Sequence, residues 1–178
     1  MDRGGQEGVG ARISRKWESG LDLNAAQRLL MLLEASGRPF QRMSHRRVHS
    51  SEKAAEVRGT PLHIGGKSLV MKGDGAFGLF VLPGTRRTHG TLIRRELGLS
   101  RLRFATPQEL AELTGLEPGC VPPFGHPVFD LPLYVDQTTA DNAEIAFSLA
   151  NHEESARMTT ADYLLVARPE RIFSFSRD

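Results

Sequence analysis

The chain has 178 residues, 39% hydrophobic and 25% charged, with a formal net charge of +2 and a single cysteine, Cys120. That length accommodates one domain with a proper core, and a lone cysteine excludes an internal disulfide framework and a cysteine-based structural zinc site. No apolar run approaches the ~20 residues needed to span a bilayer, and the opening stretch MDRGGQEGVGARISRK lacks the apolar segment of a secretory leader; a cytoplasmic location is expected.

The charge is unevenly spread. Residues 1–103 carry 19 Lys and Arg against 9 Asp and Glu, a balance of +10, and residues 104–178 carry 4 against 12, a balance of −8. Such asymmetry marks either a surface for polyanions or two solvated faces that differ in sign.

Residues 1–20 are polar and glycine-rich and read as a flexible tail, with Trp17 docking it locally; residues 21–178 read as one domain. Asn24 is a predicted N-cap for a helix over 25–35, with Leu29, Leu30, Leu32 and Leu33 on one face, Gly37 as terminator and Pro39 beyond. A strand is expected over 40–48, then a short helix opened by Ser50 or Ser51 and stopped by Gly59.

Residues 67–83, KSLVMKGDGAFGLFVLP, organise the rest. Two apolar strands, 68–71 and 77–82, flank a turn at Lys72-Gly73-Asp74-Gly75, and Asp-Gly between hydrophobic runs is a strong hairpin signal. Runs this continuously apolar belong in the interior. Lys67 stands at the mouth of the hairpin after Gly65-Gly66. There it either snorkels to water or faces a pocket.

Thr88 or Thr91 is the expected cap of a basic amphipathic helix with Leu92, Ile93 and Leu97 inward and Arg86, Arg87, Arg94 and Arg95 clustered nearby; Gly98 ends it. A strand over 102–104 follows. Thr106-Pro107 then starts a helix that stops at Gly115. Residues 116–127 are too rich in glycine and proline for either regular structure. Strands are expected over 131–135, 143–149 and 171–175, with a capped turn or short helix over 136–141 and a last helix from Thr159 or Thr160 to Ala167. The intermixed pattern predicts an α+β fold with a mixed, curled, barrel-like sheet flanked by short helices.

The loop Gly119-Cys120-Val121-Pro122-Pro123-Phe124-Gly125 is the second notable stretch. Glycines permit close approach of the backbone to a ligand, and the prolines fix φ. The amides of Cys120, Val121, Phe124 and Gly125 are then expected to be free to polarise a carbonyl; the alternative is a rigid connector. His45 and His49 have a helical metal spacing in a segment that reads as strand, so no metal site and no cofactor are expected. No G-x-S-x-G elbow or phosphate-binding glycine loop is present. Cys120 with His126 or His152 is a conceivable nucleophile–base pair, though a lone cysteine more often packs.

The segments RGTPL (58–62), GGKSLVMKGDG (65–75), RFATPQELAELTGLEPGCVPPFG (103–125), PLYVD (132–136) and NHEESARM (151–158) together resemble, in order, the YbaK/prolyl-tRNA-synthetase-associated editing domain. That resemblance implies a freestanding trans-editing deacylase acting on the acceptor end of mischarged aminoacyl-tRNA, typically tRNA(Pro) carrying alanine or cysteine, with an aminoacyl-tRNA synthetase as a further partner and no membrane. The alternative is a non-catalytic aminoacyl- or nucleic-acid-binding regulator of the same fold. By resemblance, Lys67 is the key active-site lysine and Gly119 through Pro123 is the G-x-x-x-P loop that holds the aminoacyl group, with Phe124 and Gly125 counted to the same substrate-binding stretch. Ser148 and His152 match pocket positions, and Ser68 stands where alanine-specific members have asparagine. The basic residues Arg86, Arg87, Arg94 and Arg95 then have a use in holding the acceptor stem.

Overall fold

In a computed structural model, which describes residues 23–178, the predicted hairpin is the centre of the fold; the tail read over residues 1–20 lies outside the described residues. Strand β2 (Gly66–Gly73) pairs antiparallel with β3 (Ala76–Pro83), Gly73 opposite Ala76. Asp74 and Gly75 between them have φ of 46° and 97°. Positive φ at both turn residues matches the twist of the flanking strands, which is what Asp-Gly supplies. The Asp74 carboxylate also accepts hydrogen bonds from the amides of Ser100 and Arg101, both at 2.8 Å, and so seats β5 (Leu102–Phe104) against β2.

The hairpin forms the middle of a five-stranded mixed sheet, ordered β5-β2-β3-β6-β9, with β6 (Leu133–Asp136) parallel to β3 and β9 (Arg171–Phe173) parallel to β6. Both of its faces are buried. Val70, Leu79 and Val81 point into the larger core with α1 (Ala25–Ser36) and α6 (Thr160–Ala167), while Met71, Phe80 and Leu82 point into a smaller one with Ile93, Phe173 and Phe175. Double burial is why neither strand alternates in polarity.

A three-stranded antiparallel sheet, β1-β8-β7, packs beside it: β1 (Gln41–Ser44), β7 (Glu144–Ser148) and β8 (Glu154–Thr159). A two-stranded piece pairs β4 (Arg87–Thr88) with β10 (Ser176–Arg177). The fold is α+β as expected, but the sheets stay separate rather than closing into one barrel. One parallel bridge, Gly65 to Ala146, brings the start of β2 beside β7. That junction is where the site forms.

Most helix ends follow the capping chemistry of the sequence. Asn24 and Thr106 each complete a capping box, with Gln27 and Glu109, for α1 and α4 (Pro107–Thr114). Ser50 caps α2 (Ser51–Arg58), Asp136 caps α5 (Gln137–Ala140) and Thr159 caps α6. The basic helix α3 (Gly90–Leu97) departs from expectation: His89 stands at its N-cap with no side-chain hydrogen bond, so neither Thr88 nor Thr91 opens it. The strand expected over 40–48 is only four residues long, because beyond Ser44 the chain turns away to bond through single amides, His45 to Glu153 and Val48 to His152.

Candidate active site

Around the Gly65–Ala146 junction lies a cavity of about 250 Å³. Its walls come from three places. The start of β2 supplies Lys67, Ser68 and Leu69; α2 and the residues before it supply His49, Ser50, Ser51, Ala54 and Arg58; Gly119, Val121 and Ser148 close the remaining side. Residues more than fifty positions apart in sequence therefore converge on one cavity.

Lys67 is partly buried, and its ammonium donates to the carbonyl oxygen of Arg86. Burial is the main influence on it and pulls its pKa below that of an ordinary lysine; the carboxylate of Glu52 opposes this and the charge of Arg87 adds to it. The lysine is thus partly withdrawn from water, and among the described residues it sits in no ion pair. Its position depends on Arg86, whose guanidinium donates to Ser176 Oγ at 2.7 Å and pairs with Asp178 at 2.8 Å. Ser176 Oγ in turn donates to the fully buried Asp136 carboxylate at 2.9 Å. Of the four arginines assigned to RNA, Arg86 is therefore occupied inside the molecule. Arg87 and Arg95 are exposed, and Arg94 is partly buried with a bond to Thr91 at 3.2 Å.

The loop from Gly119 to Gly125 divides into two. Gly119, at φ +91°, and Val121 face the cavity, and the amides of Cys120 and Val121 make no backbone hydrogen bond among the described residues. The second half belongs to the core. Pro122, Pro123, Phe124 and Gly125 are all buried. Phe124 meets Phe147 and Tyr163 edge-on, and the Tyr163 hydroxyl donates to the Pro123 carbonyl at 2.8 Å. The Phe124 amide is not free as expected; it is consumed by Pro122 O at 2.9 Å.

Two further residues do not line the cavity. Cys120 is 3% exposed, and its thiol donates to Glu117 O at 3.2 Å. Burial holds the thiol above its ordinary pKa, which disfavours the thiolate that a nucleophile needs. His152, also buried, does not line the cavity. Its Nδ1 lies 2.9 Å from Val48 O, which as a carbonyl must accept, and its ring packs 4.4 Å from that of His49 and beneath Gly119. His152 is a strut under the cavity wall. The serine at 68 has its Oγ buried, with no hydrogen-bond partner among the described residues.

Sequence reading missed the α2 wall, above all Arg58. A helix of eight residues with two buried alanines gives little periodic signal, and an arginine in the last turn is ordinarily there for the helix dipole. Among the described residues no group of His, Cys, Asp and Glu could hold a metal, and no helix is long and apolar enough to cross a membrane.

Comparison with known proteins supplies the family. Residues 45–165 match the model of the aminoacyl-tRNA editing domain. The chain is 36% identical over 154 residues to the multifunctional Ser/Thr-tRNA deacylase ProXp-y of Escherichia coli K12, covering 82% of this chain and 90% of that one. A proline–tRNA ligase of Shouchella clausii is 33% identical over 95 residues, 16% of its length. A crystal structure of a candidate trans-editing enzyme for prolyl tRNA synthetase superposes with a TM-score of 0.75 at 28% identity, over 86% of this chain and 98% of that one. With a matching family model over residues 45–165 and a relative 36% identical over 90% of its own length, the chain belongs to the aminoacyl-tRNA editing domain family and is an aminoacyl-tRNA deacylase.

Proposed function

We propose that this deacylase acts in trans on tRNA mischarged with serine or threonine, rather than with alanine or cysteine. The observation that carries this reading is Ser68, whose buried Oγ has no partner at the wall of a cavity that also presents Ser50, Ser51 and Ser148. A buried hydroxyl left unpaired costs about 1–3 kcal/mol, which a substrate hydroxyl recovers once Ser68 rotates its Oγ into the cavity. A site that pairs with a substrate hydroxyl discriminates strongly against analogues lacking it, whereas a missing methylene is worth only ~1–3 kcal/mol. The serine and threonine specificity named for the Escherichia coli relative supports the same choice.

In this reading the aminoacyl group enters the cavity with its ester carbonyl toward the free amides of Cys120 and Val121. Those amides and the Lys67 ammonium stabilise the negative charge that grows on the carbonyl oxygen. Lys67 stays a cation, anchored on Arg86 O, and forms no Schiff base. The attacking oxygen comes from water or from a ribose hydroxyl of the substrate. Arg87, Arg94 and Arg95 are proposed to face the acceptor stem, and a prolyl-tRNA synthetase is the proposed partner in delivering it.

The test is a panel of tRNAs charged with serine, threonine, alanine, cysteine and proline, followed by loss of the ester. Ser- and Thr-tRNA should be cleaved fastest. Lys67→Ala should abolish turnover with the fold unchanged by circular dichroism, and Ser68→Ala should lower kcat/KM for Ser- and Thr-tRNA about tenfold or more while sparing Ala-tRNA. Faster cleavage of Ala-tRNA by the unaltered protein would sink the hydroxyl reading.

A further inference from the structure

Arg58 is the second cation of the cavity, and its surroundings differ from those of Lys67. Ser51, Ala54 and Arg58 stand at helical spacing i, i+3, i+7, so one face of α2 lies along the cavity with its small residue in the middle and the guanidinium at the end. The Nε of Arg58 donates to Ser155 Oγ at 2.8 Å. Ser155 is fully buried on β8, directly across from Ser148 of the cavity wall on β7.

The protons of this cluster run in one direction. His45 Nδ1 lies 2.9 Å from Arg46 O, a carbonyl that must accept, so in the neutral ring Nε2 is an acceptor. His45 Nε2 is 2.7 Å from Ser155 Oγ and takes the serine proton, which leaves the Ser155 lone pairs for Arg58. The chain of donors is Arg58 Nε to Ser155 to His45 to the backbone. It holds the guanidinium by its inner edge and uses one N–H of five.

No carboxylate among the described residues pairs with Arg58, although nearly every other ion pair of this surface joins an arginine to a glutamate. Burial, unopposed by any acid, brings its pKa down to about 10, still a cation at neutral pH. A cation largely withdrawn from water, fixed at one edge and lacking a counter-charge among the described residues is suited to receive an anion.

We propose that the terminal amino groups of Arg58 receive an oxygen anion of the aminoacylated 3′ end bound in this cavity. This rests on the deacylase site proposed above. Two oxygens qualify, the ester oxygen as it becomes an oxyanion and the phosphate of the terminal nucleotide. In the first case water adds to the ester carbon and loses a proton, and the C=O electron pair moves onto oxygen beside Arg58. Collapse then restores C=O and expels the ribose oxygen, which takes up that proton, leaving free amino acid and uncharged tRNA.

The experiment compares the unaltered protein with Arg58→Lys and Ser155→Ala on two substrates, a seryl-tRNA and seryl-adenosine, which has the ester but no phosphate. If Arg58 holds the oxyanion, Arg58→Lys lowers kcat about a hundredfold on both substrates with KM little changed. If it holds the phosphate, KM rises for seryl-tRNA alone. Ser155→Ala keeps the charge and loosens its clamp, so it should show the same pattern at about tenfold, and it decides the matter should Arg58→Lys fail to fold. Kinetics within twofold of the unaltered protein for the folded variants on both substrates would overturn the inference. Inactivity of the unaltered protein on every charged tRNA would instead overturn the deacylase reading of the site.

Discussion

The two halves of the loop from Gly119 to Gly125 each carry one glycine and do opposite things. In the first half the backbone is turned outward: Gly119 sits in a left-handed conformation against the cavity, and the next amides are left unspent. In the second half the backbone is turned inward, with carbonyls and amides consumed by Tyr163, Pro122, Val128 and Phe129. Glycine serves reach at one end and tight packing at the other. Composition alone cannot separate these uses, because both need a residue without a Cβ.

Substitutions in the two halves should therefore fail in different ways. The largest effect on the fold is expected from Gly125→Ala. A Cβ there would lie 2.4 Å from Leu131 O, a backbone atom that has no room to yield, and a loss of about 3 kcal/mol in denaturant unfolding is expected. An unfolding midpoint like that of the parent would show that this half is not core. Gly119→Ala comes next in stability and first in activity. Its φ of +91° and a Cβ 3.2 Å from His49 O cost about 1–2 kcal/mol, but displacement of the cavity wall should lower kcat/KM about a hundredfold. Full activity in that variant would remove the outward half from the site.

Tyr163→Phe strips the hydroxyl from the Pro123 carbonyl and leaves a buried acceptor unpaired. It should cost about 1–2 kcal/mol and leave kcat within a few-fold; a collapse of kcat at parental stability would mean that the inner half transmits to the chemistry. Cys120→Ala is the mildest, with stability lower by about 1 kcal/mol or less and deacylation unchanged. Near-complete loss of activity there would restore the thiol as nucleophile.

What the sequence made legible follows from whether the signal was local. The hairpin was readable because Asp74-Gly75 and two doubly buried strands each announce themselves within a few residues, and the caps at Asn24, Ser50, Thr106 and Thr159 work over a single helical turn. Strand β8 was not, since its buried positions are Ser155, Ala156 and Met158, a run with neither alternation nor strong apolar character. The site was legible in part. Lys67, Ser68, Gly119, Val121 and Ser148 meet at one cavity, whereas His152 acts from behind it and Pro122 to Gly125 from below. Arg58 was invisible because its meaning is the absence of an acid nearby in space, and no spacing in the chain records an absence.

The carbonyl that anchors Lys67 is held in place by its neighbours: Arg87 and Thr88 pair with Arg177 and Ser176, and the Arg86 side chain grips the same strand. Strand β10 is C-terminal to every other part of the site. The anchor of the ammonium is thus made by a segment more than a hundred residues from Lys67, so a substitution at Ser176 that loosens β10 reaches the lysine without touching the cavity.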